Sequence, residues 1–383
     1  MDAIVQEAIS KTKSGTGPHA VSVKPANYPG KSSDTDEELR RIVEGIRTSI
    51  RVIGCGGAGS NTIDRLLEMG VEGGEVISVN TDALHLLYSK APTKVLIGTS
   101  VTGGVGAGND PEIGEQCAEA DVDKLSGVLQ GADLVFITCG LGGGTGTGSA
   151  PVIAEIAKEL QALTIAIVTL PFSVEGHVRA ENALRGLRKL RKYADTVIVI
   201  PNDRLLDIAP NLPLNAAFRV ADELLSNSVK GITEMVTKPG LVNLDFADVR
   251  AIMKDGGTAM IGLGSSAKDT PMEARSRESV EKALTSPLLD TDISNAKGAL
   301  INIIGSRDMT LEEAEEIVRI VSERISPEAE IIWGAQIDEG LDRNVIKTLL
   351  ILSGVSVPGY EGELEEKIEQ QEGKGIDIGL KSL

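Results

Sequence analysis

Between Ser49 and Pro201, short apolar runs alternate with stretches of helical period. SIRVIG, EVISVN, TKVLIG, DLVFITCG, LTIAIVTL and DTVIVIP are almost continuously apolar or β-branched. That is the pattern of strands buried on both faces. Residues 60–69, 111–119, 150–160 and 178–193, between them, repeat apolar positions every three or four residues and predict helices. Such alternation predicts an α/β fold with a doubly wound, mostly parallel sheet. Ligands of these sheets bind beyond the carboxyl ends of the strands.

The pattern changes after Pro201-Asn202. A long helical stretch begins at Leu214 and is closed by Pro239-Gly240. GGTAMIGLGS, KGALINIIGS, AEIIWGAQID and VIKTLLILSG then read as four strands, with helices at 271–284 and 311–325, a smaller α+β domain. The ends differ in composition. Residues 1–37 are rich in Gly, Pro and Ser after a short amphipathic start and read as a flexible extension. The expected division is a nucleotide-binding domain at 38–240 that includes the central helix, 214–238. A second domain follows at 241–356, then an acidic linker and terminal peptide at 357–383. No internal repeat is visible.

Three glycine-rich loops lie just where the strands of the first domain end. GCGGAGSN contains G-x-G-x-x-G at Gly54, Gly56 and Gly59, opens a helix, and has Asp82 past the next strand. These are the elements of a dinucleotide fingerprint, and alone they support a nicotinamide-dependent oxidoreductase. GLGGGTGTGSAPV, residues 140–152, follows another strand and leads into a helix near Thr145. Backbone N–H groups at a helix start attract anions, and glycine lets a phosphate come close. TGGVGAGNDP is the third loop. Three such nests suit a nucleoside triphosphate better than a pyrophosphate bridge. No G-x-x-x-x-G-K-[ST] motif is present, and these loops carry no lysine. Charge compensation then falls to backbone amides and a cation, Mg²⁺.

Composition narrows the classes further. The formal net charge is −18, which argues against general nucleic-acid binding. Cys55, Cys117 and Cys139 have no metal-ligand spacing and read as reduced, buried thiols of a cytosolic protein. No apolar run is long enough to span a membrane, and the start is no signal peptide. Of the three histidines, His177 reads as solvent-facing and His19 and His85 lie apart from the other motifs, so imidazole acid–base catalysis is not expected.

GLGGGTGTGSAPV is similar to the signature of the FtsZ/tubulin GTPases. VTLPFSVEGHVRAENA, VIPNDRLL and LVNLDFADVRAIM extend the resemblance, which covers roughly 45–355. The extension and short linker resemble archaeal members more than bacterial ones. The resemblance implies a tubulin/FtsZ-like fold and a GTPase that polymerises head to tail into the filaments of a cytoplasmic, mid-cell division ring. A non-hydrolysing structural relative is the other member class. It implies GTP contacts from Gly57, Ala58, Gly59, Ser60, Asn61, Asn80, Asp82, Gly106, Ala107, Gly108, Gly142, Gly143, Gly144, Thr145, Gly146 and Thr147. Glu175 and Arg179 go to the ribose and its surroundings. Phe218 stacks on guanine and Asp222 accepts from its N1–H and 2-amino group, with Asn202 assisting. The bound species are GTP or GDP, with Mg²⁺ held mainly by phosphates and water.

Asn243, Asp245 and Asp248 are the residues implied for hydrolysis. Asp245 and Asp248 share a helix face by spacing, which capping alone also explains in part. They lie at the far end of a helix about 35 Å long from the base pocket. In the family the acid loop of one subunit caps the nucleotide of the next. The implied partners are further copies of the chain, a paralogue, and a membrane anchor of the SepF type docking on residues 375–383. In the third loop the family usually has arginine where Gly103 stands and ends Gly-Asn-Pro where Asp110 intervenes. Both changes put the phosphate contacts of that loop in question.

Overall fold

The computed structural model describes residues 48–208, 214–238, 240–242, 244–289 and 291–357. The extension and the terminal peptide therefore lie outside the described residues, and so does Asn243. In chain order the first half runs β1 (Ile50–Cys55), α1 (Gly56–Glu68), β2 (Gly74–Asn80), α2 (Ala83–Tyr88), β3 (Thr93–Leu96), α3 (Thr99–Thr102), α4 (Pro111–Glu119), α5 (Val122–Leu129), β4 (Leu134–Gly140), α6 (Thr145–Glu159), β5 (Leu163–Leu170), α7 (His177–Tyr193) and β6 (Thr196–Pro201). The second half runs α8 (Asp203–Ile208), α9 (Leu214–Thr237), α10 (Phe246–Met253), β7 (Gly257–Ser265), α11 (Met272–Leu284), β8 (Gly298–Gly305), α12 (Leu311–Ser322), β9 (Glu330–Ile337) and β10 (Ile346–Ser353).

The strands form one sheet in the order β3-β2-β1-β4-β5-β6-β7-β10-β8-β9. All pairs from β3 to β7 are parallel, and β10 runs antiparallel between β7 and β8. The strands of the two expected domains are thus continuous, joined through three residue pairs from Thr196↔Gly257 to Ile198↔Ala259. The first six strands stand in the order of a dinucleotide-binding fold. Topology alone therefore leaves the nicotinamide alternative standing.

The continuously apolar strands are buried on both sides, as parallel strands must be when helices cover each face. In β1, Ile53 and Cys55 join a core with Ile153 of α6 and Leu187 of α7. Ile50 and Val52 point the other way, into a core with Ile63 and Leu66 of α1. α9 lies on that second face. Its Ala217, Ala221, Leu225, Val229, Ile232 and Met235 form one buried stripe at helical spacing. Burying each of the four larger side chains contributes about 1.5–3 kcal/mol. The same core holds Ile261, Leu300 and Leu349, so α9 packs against both halves of the sheet.

The apolar alternation did not predict α2, α3 and α5. α2 has six residues, and its Leu84, Leu87 and Tyr88 are exposed, so its pattern is not that of a core helix. α1 begins at Gly56 rather than near 60, because the glycine loop itself supplies its first turn.

Candidate functional site

The glycine loops converge because their glycines let backbones touch. Gly56 has φ +71°, and a Cβ there would lie 2.8 Å from Gly146 N. The first turns of α1 and α6 therefore stand side by side. A Cβ on Gly148 would lie 2.1 Å from Pro111 O, so α4 lies against the opening turn of α6. The result is two helix starts, each with unpaired N–H groups, facing one space.

That space is a cavity of about 400 Å³ at the carboxyl ends of β1, β4 and β5. Of the residues expected to contact nucleotide, Gly57, Ala58, Gly143, Gly144, Thr145, Gly146, Glu175, Arg179, Asn202, Phe218 and Asp222 line it. Glu175 and Arg179 form an ion pair at its rim, and Glu175 Oε1 also accepts from Phe172 N–H at 2.8 Å. Phe218 is held by an edge-on contact with Phe172, ring centroids 5.2 Å apart, and still exposes 37% of its surface. Burial pushes Asp222 up to about 6, offset only in part by the neighbouring Thr62 hydroxyl. Asn202 is buried, and its Oδ1 has no hydrogen-bond partner. An unpaired buried acceptor, a carboxylate and an exposed ring lining one cavity form a set suited to a flat heterocycle that donates hydrogen bonds.

Other expected contacts are placed differently. Thr147 is buried, and its hydroxyl accepts from Gly142 N–H at 2.9 Å, so it shapes the loop from inside. Ser60 is also buried and accepts from the Ser78 hydroxyl at 2.7 Å. Asn80 turns inward, its Oδ1 accepting from the N–H groups of Thr81 and Asp82. Asp82 caps α2 by accepting from His85 N–H at 3.0 Å. Gly59, Asn61, Gly106, Ala107, Gly108 and Gly142 do not line the cavity. The third loop contributes Asn109, which had not been singled out. Its φ is +65°, a conformation that asparagine tolerates better than most side chains. Its place between a glycine cluster and Asp-Pro was the available signal.

The charge introduced by Asp110 has a local explanation. Asp110 is the N-cap of α4, accepting from Glu112 N–H at 2.9 Å, with Pro111 at the first helical position. Gly103 takes φ +64° at the end of α3, and nothing lies within 4 Å of where its Cβ would be. All three cysteines are free and buried, and burial pushes Cys55 up to about 12. It is therefore a packed thiol and no nucleophile, although it borders the cavity.

Asp245 and Asp248 form a reciprocal cap at the start of α10. Asp248 N–H donates to Asp245 Oδ1 and Asp245 N–H to Asp248 Oδ2, both at 2.9 Å. Capping thus engages both acids, one oxygen each. From Asp222 to the end of α9 is about 22 Å of helix, the pair follows beyond that end, and neither acid lines the cavity.

Residues 49–210 match the Tubulin/FtsZ family GTPase domain, and residues 257–356 match the FtsZ family C-terminal domain. A cell division protein FtsZ of Methanothermobacter thermautotrophicus is 59% identical over 352 residues, covering 90% of this chain and 91% of that protein. The chain belongs to the FtsZ family. Its fold is correspondingly that of an FtsZ dimer structure from M. jannaschii, with a TM-score of 0.79 and 53% identity over 84% of this chain and 92% of that one. CetZ1 from Haloferax volcanii, solved as a GDP-bound monomer, gives a TM-score of 0.74 at 26% identity, over 85% of this chain and all of its own. The first domain is therefore a tubulin-like GTPase domain of cell-division type, and the nicotinamide alternative is set aside. Among the described residues, no helix is long and apolar enough to cross a membrane.

Proposed function

We propose that this FtsZ-family chain binds GTP in the cavity and hydrolyses it when assembled head to tail, the acid loop of one copy closing the nucleotide site of the next. The observation that carries this is the separation of the two halves of the chemistry. The phosphate nests and base-reading groups lie at one end of α9, and the acids lie past the other. Repeating such a contact builds an open filament.

Each residue has a role in this scheme. N–H groups in the first turns of α1 and α6 and in the loop 142–146 hold the phosphates, with the Thr145 hydroxyl beside them. Gly106–Gly108 brace that loop from the third turn. Phe218 stacks on guanine, and Asp222 with Asn202 reads its polar edge. Glu175 and Arg179 face the ribose. From the adjacent copy, Asn243, Asp245 and Asp248 orient and polarise the attacking water. Each acid keeps one oxygen outside the reciprocal cap for that task.

Mg²⁺ fits this donor set in one way. Among the described residues no cluster of three His, Cys, Asp or Glu could hold a metal. The ion would sit on phosphate oxygens and water, which suits its reluctance to shed its hydration shell, and would neutralise phosphate charge. The filaments would form the cytoplasmic mid-cell ring beneath the membrane. Residues 375–383 would dock on a membrane anchor of the SepF type, and a paralogue is a further candidate partner.

The test follows phosphate release and light scattering together after adding GTP with Mg²⁺. Specific activity should rise with protein concentration and approach zero below an assembly threshold. Asp248→Asn should bind GTP and assemble but turn over slowly. Thr145→Arg should bind nucleotide poorly while keeping its acids. Mixing the two should restore some hydrolysis. A flat specific activity on dilution, with no recovery on mixing, would mean that one chain holds a complete site.

A further inference from the structure

His85 stands apart from every sequence motif, yet α2 sets its ring against the first turn of α1. A Cβ on Gly57, a residue lining the cavity, would lie 3.9 Å from His85 Nε2. The other ring nitrogen has a fixed role. Asn80 Oδ1 accepts from Thr81 N–H at 2.9 Å and Asp82 N–H at 3.2 Å, which assigns the oxygen end of that amide. Asn80 Nδ2 is then the end that faces His85 Nδ1, at 3.3 Å. An amide NH₂ only donates, so Nδ1 must accept, and the neutral ring carries its proton on Nε2. That N–H is the one beside Gly57. Within the described residues it has no acceptor; the one hydrogen bond of the ring is that of Nδ1, the others being backbone bonds to Asp82 and Ser89.

The position along the cavity matters as much as the proton. Phe218 and Asp222 come from α9, at one end. α2 is instead tied to the third loop, with Ala83 N–H donating to Gly104 O at 2.9 Å and Gly106 N–H to Thr81 O at 3.2 Å. A nucleotide with its base against α9 and its phosphates over the start of α6 therefore runs its last phosphate toward α2. Asn80 is 3% exposed, and it anchors the ring in that direction.

We propose that His85 donates its Nε2–H to the terminal phosphate of the bound triphosphate and so helps this chain to tell GTP from GDP. The inference rests on the cavity being the GTP site. It adds a side-chain donor on a helix that the glycine motifs do not include.

The experiment uses the full chain below its assembly concentration, with GTP and GDP each competing against a fluorescent GDP analogue. In His85→Ala, and in His85→Phe, which keeps a ring without the N–H, GTP affinity should fall about tenfold, the worth of a hydrogen bond to a charged group. GDP affinity should stay within about twofold, which also shows that the pocket remains folded. A GTP-to-GDP preference equal to that of the parent would overturn the proposal. So would an equal loss for both nucleotides, which marks a structural role. Imidazole ¹⁵N spectra of the free protein should show Nε2 protonated, and the opposite tautomer would also overturn it. If the parent protein bound neither guanine nucleotide, the reading of the cavity would fail first, and this inference with it.

Discussion

Replacing Asp222 by Asn removes a charge while keeping the shape of the side chain, and it should move stability and binding in opposite directions. Burial raises the carboxyl from its ordinary 3.8 to about 6. A shift of about two units means that the ligand-free protein spends on the order of 3 kcal/mol keeping Asp222 ionised at pH 7. That penalty is fully present above pH 6. Between 6 and 3.8 the folded state takes up its proton before the unfolded state does, so this group makes the empty protein more stable as pH falls through that window. Binding runs the other way. Guanine offers N1–H and its 2-amino group, and both need the ionised carboxylate as acceptor. With a pKa of about 6, Asp222 is about 90% ionised at pH 7 and about 10% at pH 5. GTP affinity should therefore fall about tenfold between them. Phosphates also titrate near pH 6, and the variant is the control for them, since any slope that survives in Asp222→Asn belongs to the ligand. The variant should gain stability by up to about 3 kcal/mol when empty. It should also lose one to two decades of its GTP-over-ATP preference, roughly the 1.5–3 kcal/mol of a charge-assisted hydrogen bond. Competition titrations at pH 5, 6 and 7, with urea unfolding of the empty protein, measure all three effects. Identical pH profiles and an unchanged base preference in the variant would show that Asp222 does not read the base.

Two further outcomes are expected. Arg275 is fully buried and bonds both oxygens of Glu313 and one of Asp308, so Arg275→Ala should cost about 3–5 kcal/mol in urea unfolding while nucleotide affinity holds; a loss below about 1 kcal/mol would mean that the pairing is expendable. Deleting residues 375–383 should leave GTP turnover and light scattering as they were and abolish capture by the membrane anchor; a truncated chain that binds the anchor at full affinity would refute that role for the terminal peptide.

How far the sequence discloses the fold depends on what each element buries. The parallel strands were legible because they are almost continuously apolar, and α9 because its helical pattern runs through 24 residues. α2 was not, since three of its six residues are large, apolar and exposed, a pattern that reports no core. The pairing of β7 beside β6 was hidden for another reason. The two strands are more than fifty residues apart in sequence, and nothing in either composition names its neighbour. At the site, the glycine loops announced the phosphate nests, but side-chain direction was not readable from them. Thr145 lines the cavity and Thr147, two residues on, faces the loop interior. Asn80 and His85 show the same limit. The family resemblance implied a direct nucleotide contact from Asn80, while the geometry turns its amide to the N–H groups of Thr81 and Asp82 and to the His85 ring, which no motif had marked.

The acids at the start of α10 carry two duties, and the two can be told apart. Asp245 Oδ1 and Asp248 Oδ2 serve the reciprocal cap, which leaves Asp245 Oδ2 and Asp248 Oδ1 without a bond among the described residues. A cap is worth about 1 kcal/mol, so alanine at either position would weaken α10 as well as remove a charge. Asparagine at 248 keeps an acceptor for Asp245 N–H and loses only the charge. If the pair were structural alone, Asp248→Asn would turn over GTP as the parent does. If the charge orients and polarises water, turnover falls while the melting temperature and assembly hold. The rigid α9 gives this distinction its force. It runs about 22 Å from Asp222 to its end, and the acids follow beyond that end and do not line the cavity, so a charge there that matters for turnover is expected to act on a neighbour's nucleotide.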